Sequence, residues 1–370
     1  MMTLRERFRR TMFYQKPDYL PNYEFGYWAE TLPLWHEQGL PKEINDEGKA
    51  YDYFGIEAHA GAPVNNGSIA GFEHKVLEDT DEYTIYIDGG TGSTAKINKK
   101  GYRSIPHFIG FPLKDRKSWE EIKWRFDPDK GERYPKEWDK WAQAQLRRDY
   151  PLVIGIGSML GVPRNFIGFE NTALMAYDDP DLLDDIVETM CNCVVKTIER
   201  AVKDVEFDAG AGWEDICFNS GPLISPTMFE KLVTPRYRRI ADLLNLHGCH
   251  ILYTDCDGDI TPIVPQFLKG GINCMFPVEV NAGSDPVNLR DKFGRELRMM
   301  GGVCKRKLAA GPKAIEKELK RIEPVVRDGG FIPHVDHRCP ADVTLENYRF
   351  YMKLKREMFG CTAKEPQCKL

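Results

Sequence analysis

The 370-residue chain is 42% hydrophobic and 29% charged, which is the composition of an ordinary globular protein with a sizeable core. Its formal net charge of −5 lacks the basic surplus of proteins that bind nucleic acid or anionic membranes. Residues 1–7 are charged rather than apolar, and no apolar run is long enough to cross a bilayer, so we expect a cytoplasmic protein.

The first part of the chain predicts a helix, one strand and then an insertion. An amphipathic helix is expected over 3–13, and a first strand over 20–25. The alternating residues 83–88 and the glycine-rich turn that follows them indicate antiparallel hairpins. We therefore expect 61–150 to form an inserted hairpin and helical region within a single domain that spans 1–370.

From residue 151 onward, short apolar segments alternate with longer helical ones, which is typical of parallel βαβ units. The strands predicted in this part are 152–157, 205–212, 250–254, 272–276, 297–302 and 330–335. The helices predicted between or after them are 180–203, 226–246, 260–269, 312–326 and 343–359.

These segments predict the fold class. With the strand at 20–25 they make seven strands, one short of a (β/α)8 TIM barrel, and we expect the eighth between residues 50 and 110. A doubly wound sheet is the competing architecture, but no Gly-x-Gly-x-x-Gly follows a predicted strand. The prediction is therefore an α/β TIM barrel with an N-terminal β-hairpin and helical insertion.

The stretch 250–260 turns from an apolar strand into a crowd of acids around Gly258. In a parallel α/β fold, ligands bind at the C-terminal ends of the strands, where Asp255 and Asp257 fall. A purely structural interpretation is also open, since Asp and Gly are common in turns and Asp259 can cap a following helix. Like charges crowded without a partner are rare, which favours a polar or metal site.

Further polar side chains follow the other predicted strands and should meet at the same face of a barrel. They are Glu24 and Trp28, Glu214 and Asp215, Glu279, Cys304, and Asp336 and His337. Several ionised carboxylates cannot share a desolvated pocket, so the set needs a cation or raised carboxyl pKa values. A zinc ion with Asp257, Cys304 and His337 as ligands meets that need, and protonated acids are the alternative.

Three aromatic side chains, Tyr27, Trp28 and Tyr253, accompany these acids. They either line an apolar wall of a ligand pocket or pack in the core. The sequence leaves both possibilities open.

Several segments, in the same order along the chain, resemble the uroporphyrinogen decarboxylase superfamily. They are Trp213-Glu-Asp-Ile with Gly221-Pro-Leu-Ile-Ser-Pro226, Asp255-x-Asp-Gly-Asp259, Gly301-Gly-x-x-Lys-Arg306, and Gly329-Gly-Phe-Ile-Pro with Asp336-His-x-x-Pro340 and Glu346-Asn-Tyr348. The resemblance covers nearly the whole C-terminal two thirds and implies a (β/α)8 barrel. The superfamily holds true uroporphyrinogen decarboxylases and zinc-dependent methyltransferases that act on corrinoid proteins or thiols.

The resemblance is closer to the corrinoid (cobalamin)-linked methyltransferase branch. True decarboxylases carry an N-terminal arginine cluster for their polycarboxylate substrate, whereas residues 22–30 here are acidic and aromatic and would repel it. The methyltransferases typically present His-x-Cys after one strand and Cys after the last. Anchored on Gly258, these positions fall on Asp255 and Asp257 and near His337, so this chain departs from the family's zinc triad.

The resemblance implies a methyltransferase that demethylates a small O- or N-methylated compound and passes the methyl group to a corrinoid protein. Zinc or a protonated acid would activate the leaving heteroatom. The catalytic candidates are Glu214, Asp255, Asp257 and His337, and the substrate-binding candidates are Glu24, Tyr27, Trp28, Tyr253 and Glu279.

Other functions and assemblies stay open at this point. A decarboxylase of uroporphyrinogen or of a smaller acid remains an alternative, because a carboxylate-rich pocket can protonate a carbanion. A non-catalytic ligand-binding barrel is a second alternative, favoured by the departure from the zinc triad. A corrinoid protein is the expected partner, and a homodimer is possible.

Overall fold

The computed structural model describes residues 2–57, 59–100 and 106–360 and is organised around a curled parallel sheet of seven strands. The strands of the described residues are, in chain order, β1 (Ala60–Gly61), β2 (Lys75–Asp79), β3 (Tyr83–Ile87), β4 (Thr94–Asn98), β5 (His107–Gly110), β6 (Leu152–Gly155), β7 (Ala209–Trp213), β8 (Cys217–Phe218), β9 (Gly221–Pro222), β10 (Leu252–Asp255), β11 (Cys274–Phe276), β12 (Arg298–Val303) and β13 (Phe331–Val335). The central sheet has the order β1-β6-β7-β10-β11-β12-β13, and all its neighbours pair in parallel.

Helices follow most strands of this sheet and cover its outer side. The α-helices of the described residues are α1 (Leu4–Met12), α2 (Thr31–Glu37), α3 (Glu47–Phe54), α4 (Arg116–Ile122), α5 (Trp138–Gln145), α6 (Gly161–Ile167), α7 (Phe169–Asp178), α8 (Pro180–Asp204), α9 (Pro226–Leu232), α10 (Thr234–Leu246), α11 (Val264–Gly270), α12 (Pro286–Phe293), α13 (Lys305–Ala309), α14 (Pro312–Asp328) and α15 (Leu345–Phe359). None of these helices is long and apolar enough to span a membrane.

Helix α8 shows why the outer layer forms where the sequence predicts it. The Asp179 carboxylate caps its first turn by accepting from the Leu182 N–H at 3.1 Å, and Pro180 occupies the first turn, where its missing N–H costs nothing. Buried apolar residues recur every three or four positions, from Leu183 to Ala201, and face the sheet.

The predicted strands from residue 152 onward are all present, with ends that differ by a few residues. The missing strand is β1, which lies in the window 50–110 and pairs with β6 through Ala60 and Leu152. The predicted helix 226–246 is two helices, α9 and α10. Pro235 lies at the start of α10, and a proline is favoured in a first turn but breaks a helix interior.

The predicted strand at 20–25 is wrong, and a closed eight-stranded barrel is not shown. The segment has no ladder of its own, because Pro21 lacks an N–H and the polar groups of Asn22 are used elsewhere. The backbone N–H of Asn22 donates to the Glu57 carboxylate at 2.9 Å, and the Asn22 side-chain amide donates to the Gly55 carbonyl at 2.9 Å.

This irregular segment nevertheless lies beside both edges of the curled sheet. Glu57, just before β1, donates its N–H to the Asn22 carbonyl at 2.9 Å, and Val335 in β13 donates to the Glu24 carboxylate at 3.3 Å. Tyr23 from this segment joins the cluster inside the sheet. The other members are Phe8, Met12, Val153, Ala209, Ile251, Tyr253, Cys274, Met300 and Ile332.

Within the segment 61–150, the structure has a second sheet and then helices. Strands β2 to β5 form an antiparallel sheet in chain order, and α4 and α5 follow it. Trp119 and Trp138 anchor these two helices, since both indoles are buried and donate to Asp185 and Asp204 on α8.

Candidate active site

Loops at the C-terminal ends of neighbouring strands are joined by backbone hydrogen bonds. The N–H groups of Glu214 and Asp215, after β7, donate to the Asp255 carbonyl at 2.8 and 3.3 Å. The N–H of Cys256, after β10, donates to the Phe276 carbonyl of β11 at 2.8 Å. The acidic residues that follow these strands therefore lie at one edge of the sheet, as the sequence predicts.

Gly258 allows two of these loops to pack directly on each other. Its φ is +85°, and a Cβ atom there would lie 2.4 Å from the Cys217 carbonyl carbon. The next residue, Asp259, donates its N–H to the Phe218 carbonyl at 2.9 Å. A side chain at position 258 would therefore separate the loops and displace Asp257.

Asp257 and His337 form a hydrogen-bonded pair across the edge of the sheet. The His337 Nε2 atom lies 3.1 Å from Asp257 Oδ2, and the backbone N–H of Arg338 donates to His337 Nδ1 at 2.8 Å. Because Nδ1 accepts a hydrogen bond, the neutral ring carries its proton on Nε2 and donates it to the carboxylate. The backbone thus fixes both the tautomer and the orientation of the ring.

Aromatic rings enclose this pair. The Trp28 indole stacks on the His337 ring with centroids 5.2 Å apart and an interplanar angle of 15°. Phe25 lies 5.5 Å from the same imidazole and packs edge-on against Phe276 at 4.4 Å. These rings form an apolar wall beside the acidic groups, which is one of the two placements that the sequence leaves open for Trp28.

Asp255 lies in surroundings that favour the protonated form of its carboxyl group. Its pKa is raised well above its ordinary range, chiefly because the group is buried and further because Asp257 and Asp215 lie near it. No described residue forms a hydrogen bond with its side chain. One oxygen of Asp257, Oδ1, is also screened from solvent and has no described hydrogen-bond partner. The site thus combines a carboxyl group with a raised pKa and an unused acceptor.

Cations at the site are already paired with acids. Arg164 Nη2 contacts Asp215 Oδ2 at 3.1 Å, and Lys305 Nζ contacts Glu279 Oε1 at 2.5 Å. Burial raises the pKa of Asp215, and Arg164 partly offsets this effect. Arg164 and Asp215 line a cleft of about 460 Å³, and Glu279, a predicted substrate-binding residue, lies in its wall beside Gly258.

Glu214, a predicted catalytic residue, points away from this cleft. It is fully buried, and its carboxylate accepts from the N–H groups of Met159, Leu160 and Gly161 at 2.6, 2.8 and 2.8 Å. Tyr237 donates its hydroxyl to the same group. These contacts fix the loop after β6, so the geometry supports a structural role rather than the expected catalytic one.

Asp336 ties two further loops together beneath the site. Its oxygens accept from the N–H of Val280 at 3.0 Å and from that of Lys305 at 2.8 Å. Burial raises the pKa of this fully buried group to about 6, although the Lys305 cation and both N–H groups favour the ionised form.

The raised pKa of Asp336 predicts a pH dependence of stability. Between the ordinary carboxyl pKa of 3.8 and about 6, the folded state holds a proton that the unfolded state has released, so stability falls as pH rises. The shift of about two pKa units corresponds to about 3 kcal/mol. We expect the difference in unfolding free energy between wild type and Asp336→Asn to change across this interval. If urea unfolding gives the same difference in free energy between the two proteins at every pH from 4 to 7, the assignment is contradicted.

The three predicted zinc ligands are not all brought together. The Cys304 thiol is buried and faces Asn281, whose Nδ2 donates to its sulfur at 2.9 Å. Among the described residues, no group of three or more His, Cys, Asp and Glu side chains is arranged to hold a metal ion. A catalytic zinc needs three protein ligands, and the Asp257–His337 pair supplies two, so these donors do not fit the group.

Two predicted substrate-binding residues belong to the core. Glu24 is 2% exposed and pairs with the Lys355 ammonium, which is 0% exposed, while Tyr351 donates its hydroxyl to Glu24 at 2.8 Å. Tyr27 is buried between Trp35 and Tyr348, and its hydroxyl lies 3.1 Å from the Tyr348 hydroxyl. Neither side chain contacts the Asp257–His337 pair.

Tyr253, the remaining predicted substrate-binding residue, faces the inside of the sheet. It is 8% exposed and lies two positions before Asp255 on β10, so both side chains lie on the same face of the strand. The sequence analysis missed three residues of this region, namely Phe25, Arg164 and His59. Phe25 had a signal, because it lies between the two predicted residues Glu24 and Trp28, whereas Arg164 and His59 had none.

Comparisons with known proteins agree with this architecture. The family model of uroporphyrinogen decarboxylase (URO-D) matches residues 97–358. Among solved structures, the chain is similar to a methyltransferase from Methanosarcina mazei at 14% identity, with a TM-score of 0.57 and coverage of 96% of this chain and 99% of that chain. At this identity the likeness concerns the fold. No curated protein matches the chain.

Proposed function

The chain belongs to the uroporphyrinogen decarboxylase (URO-D) family, and on that premise we propose that it is a methyltransferase. It takes a methyl group from a small O- or N-methylated compound and passes it to a corrinoid protein. The observation that carries this proposal is the unpartnered Asp255, whose raised pKa favours its protonated form, beside the Asp257–His337 pair. The likeness in fold to a methyltransferase supports the same branch of the family.

Asp255 supplies what methyl transfer from an ether or amine requires. As the acceptor forms its bond to the methyl carbon, the carbon–heteroatom bond breaks and its electron pair stays on the heteroatom. An alkoxide or amide anion leaves poorly, so the proton of Asp255 moves to the heteroatom as the bond breaks. A corrinoid on the partner protein would supply the nucleophile that accepts the methyl group.

The Asp257–His337 pair maintains this proton. The Asp257 charge raises the pKa of Asp255, and the Nε2–H of His337 holds the Asp257 carboxylate in place at 3.1 Å. Trp28 in turn fixes the His337 ring by stacking. In this arrangement Asp255 is the acid, and Asp257 and His337 position it and set its protonation state.

The paired cations of the cleft disfavour uroporphyrinogen as the substrate. A porphyrinogen with many carboxylates needs free arginine or lysine side chains. In the described residues around the site, Arg164 pairs with Asp215, Lys305 with Glu279, and Arg338 with Glu47. The remaining carboxyl groups would repel such a substrate, whereas a small methylated compound adds no negative charge.

A transfer assay tests the proposed function. The purified protein is incubated anaerobically with reduced cobalamin and a panel of methyl ethers and methylamines, and methylcobalamin is followed by its absorbance. We expect methyl transfer from at least one donor class. If no donor reacts with cobalamin or with any co-purifying corrinoid protein, while small carboxylic acids release carbon dioxide, the protein is a decarboxylase instead.

The pair makes a second testable prediction. Because Asp257 and His337 act through one hydrogen bond, Asp257→Asn combined with His337→Gln should slow transfer no more than the worse single variant. That result corresponds to a coupling of about 1–3 kcal/mol in the activation free energy.

The neighbouring Asp259 provides the control for this coupling. Its carboxylate accepts from the Thr261 N–H at 3.0 Å and does not contact the pair, so Asp259→Asn should be additive with His337→Gln. Additive losses from the Asp257 and His337 variants would contradict the coupling. Elemental analysis adds an independent test. One zinc per chain in the wild type, lost in both single variants, would show that Asp257 and His337 bind a metal and do not act as a hydrogen-bonded pair.

A further inference from the structure

Three polar rings meet inside the curled sheet, below the level of Asp255. Tyr253 comes from β10, His59 precedes β1, and Tyr23 comes from the irregular segment between the sheet edges. The His59 ring lies 5.8 Å from the Tyr23 ring and 6.4 Å from the Tyr253 ring. The Tyr253 hydroxyl lies 3.4 Å from His59 Nε2. We call these three residues the polar floor.

One ring of the polar floor reaches solvent. His59 is an exposed residue although it touches two tyrosines that are buried inside the sheet. Phe276 and Asp255, which face the same interior nearer the strand ends, are half-buried. His59 and Asp255 therefore each keep surface that a bound molecule can contact, and Tyr253 and Asp255 lie on the same face of β10.

One polar atom of the floor lacks a partner. The Tyr23 hydroxyl is screened from solvent and forms no hydrogen bond with any described residue. Tyr23 belongs to the same buried cluster as Phe8, Val153 and Met300. A buried hydroxyl without a partner is costly, so this arrangement suits a ligand that brings a hydrogen-bonding group to the floor.

The floor is uncharged at neutral pH. Although His59 reaches solvent, the protein around its ring desolvates it and lowers its pKa, and burial raises the pKa values of Tyr23 and Tyr253, so all three rings favour their neutral forms. In the described contacts, none of the three rings is paired with a cationic side chain. A buried carboxylate needs such a cation, whereas a hydroxyl or carbonyl group needs only hydrogen bonds.

The spacing along β10 sets the length of the ligand. Tyr253 and Asp255 are two residues apart, which corresponds to about 7 Å along a strand. We propose that the methylated substrate carries a neutral hydroxyl or carbonyl group about 7 Å from its methylated heteroatom, and that the polar floor binds this group. The proposal rests on the proposed function only in placing the methylated end beside Asp255.

Matched donors test this inference. 4-Methoxybutan-1-ol and 1-methoxypentane have the same length and the same methyl ether, but only the first ends in a hydroxyl. Calorimetric binding should favour the alcohol by about 10- to 100-fold, because 1-methoxypentane leaves the Tyr23 hydroxyl without a partner. The rates of methyl transfer to reduced cobalamin should show the same preference in kcat/KM. Equal binding of the two donors would overturn the proposal.

Two variants locate the effect at the floor. Tyr23→Phe and Tyr253→Phe should each bring the ratio of the two affinities towards one, and either variant suffices if the other fails to fold. Tyr177→Phe is the matched control, because this tyrosine is 67% exposed on the surface, and it should keep the wild-type ratio. An unchanged ratio in both floor variants would overturn the assignment.

The binding assay tests the polar floor, and the transfer assay tests the methyltransferase, so the two proposals can be contradicted independently. Selective binding of the alcohol without methyl transfer from either donor supports the polar floor but contradicts the methyltransferase. Transfer from both donors with equal affinity contradicts the floor and leaves the methyltransferase in place.

Discussion

Replacement of Asp255 by asparagine is expected to lower kcat by about 10²- to 10⁴-fold, which is the usual contribution of a general acid. Asparagine has nearly the same shape but no acidic proton, so the leaving heteroatom would depart as an anion. KM should change little, because the amide still fits the space of the carboxylic acid. Steady-state transfer to reduced cobalamin, measured for both proteins with the same donor, checks this result.

The same substitution should make the folded protein more stable at neutral pH. The folded-state pKa of Asp255 is raised, so the unfolded chain releases this proton at a lower pH than the folded chain does. Stability therefore falls as pH rises from the unfolded pKa through the folded one. Asparagine does not ionise in either state and removes that loss. Gain of stability together with loss of activity identifies a strained functional group rather than a damaged fold.

Asp342 provides the control for this experiment. It lies in the exposed loop after β13, so Asp342→Asn removes a carboxylate without touching the acidic cluster. This variant should leave both kcat and the unfolding free energy close to those of wild type. A wild-type rate in Asp255→Asn would remove Asp255 from the reaction and leave the proposal without its acid.

The fold was predictable where local pattern and tertiary structure agree. From residue 152 the alternation of apolar strands and amphipathic helices is regular, and the structure has a strand at each predicted place. The segment 20–25 has the same apolar texture but contains Pro21, and Asn22 uses its polar groups on Glu57 and Gly55. An apolar composition alone does not reveal that hydrogen bonds to side chains replace the backbone hydrogen bonds of a paired strand.

The candidate site was predictable in part, because a strand end fixes the edge of the sheet but not the direction of a side chain. Asp255, Asp257 and His337 lie together as expected. Glu214 follows its strand just as closely, yet it points at the 158–161 loop, and Cys304 faces Asn281. One position along the chain reverses the face on which a side chain lies, and no sequence spacing resolves that choice.

The polar floor was beyond the reach of sequence reasoning. Its members come from an irregular segment, from the residue before a two-residue strand and from the middle of β10. Neither Tyr23 nor His59 lies in a periodic pattern, and 194 positions separate His59 from Tyr253. Their meeting depends on how the sheet curls, which is a property of the whole chain.

The buried Glu24–Lys355 pair carries the largest expected effect on stability. Lys355 also donates to the Tyr23 carbonyl at 3.1 Å, so the pair joins α15 to the irregular segment between the sheet edges. Lys355→Met leaves the Glu24 carboxylate buried without its cation and should cost about 3–5 kcal/mol of unfolding free energy. Urea denaturation of the two proteins measures this difference.

The double variant Glu24→Gln/Lys355→Met should recover most of that loss, because no unpaired charge then stays buried. The surface pair Lys320–Glu316 is the control, since its side chains are 62% and 48% exposed and Lys320→Met should cost less than about 1 kcal/mol. A loss of less than about 1 kcal/mol in Lys355→Met would contradict the role assigned to the buried pair.

Trp28 follows the same segment and stacks on His337. A loosened segment should therefore also release the imidazole ring that holds Asp257, so activity should fall before the protein unfolds.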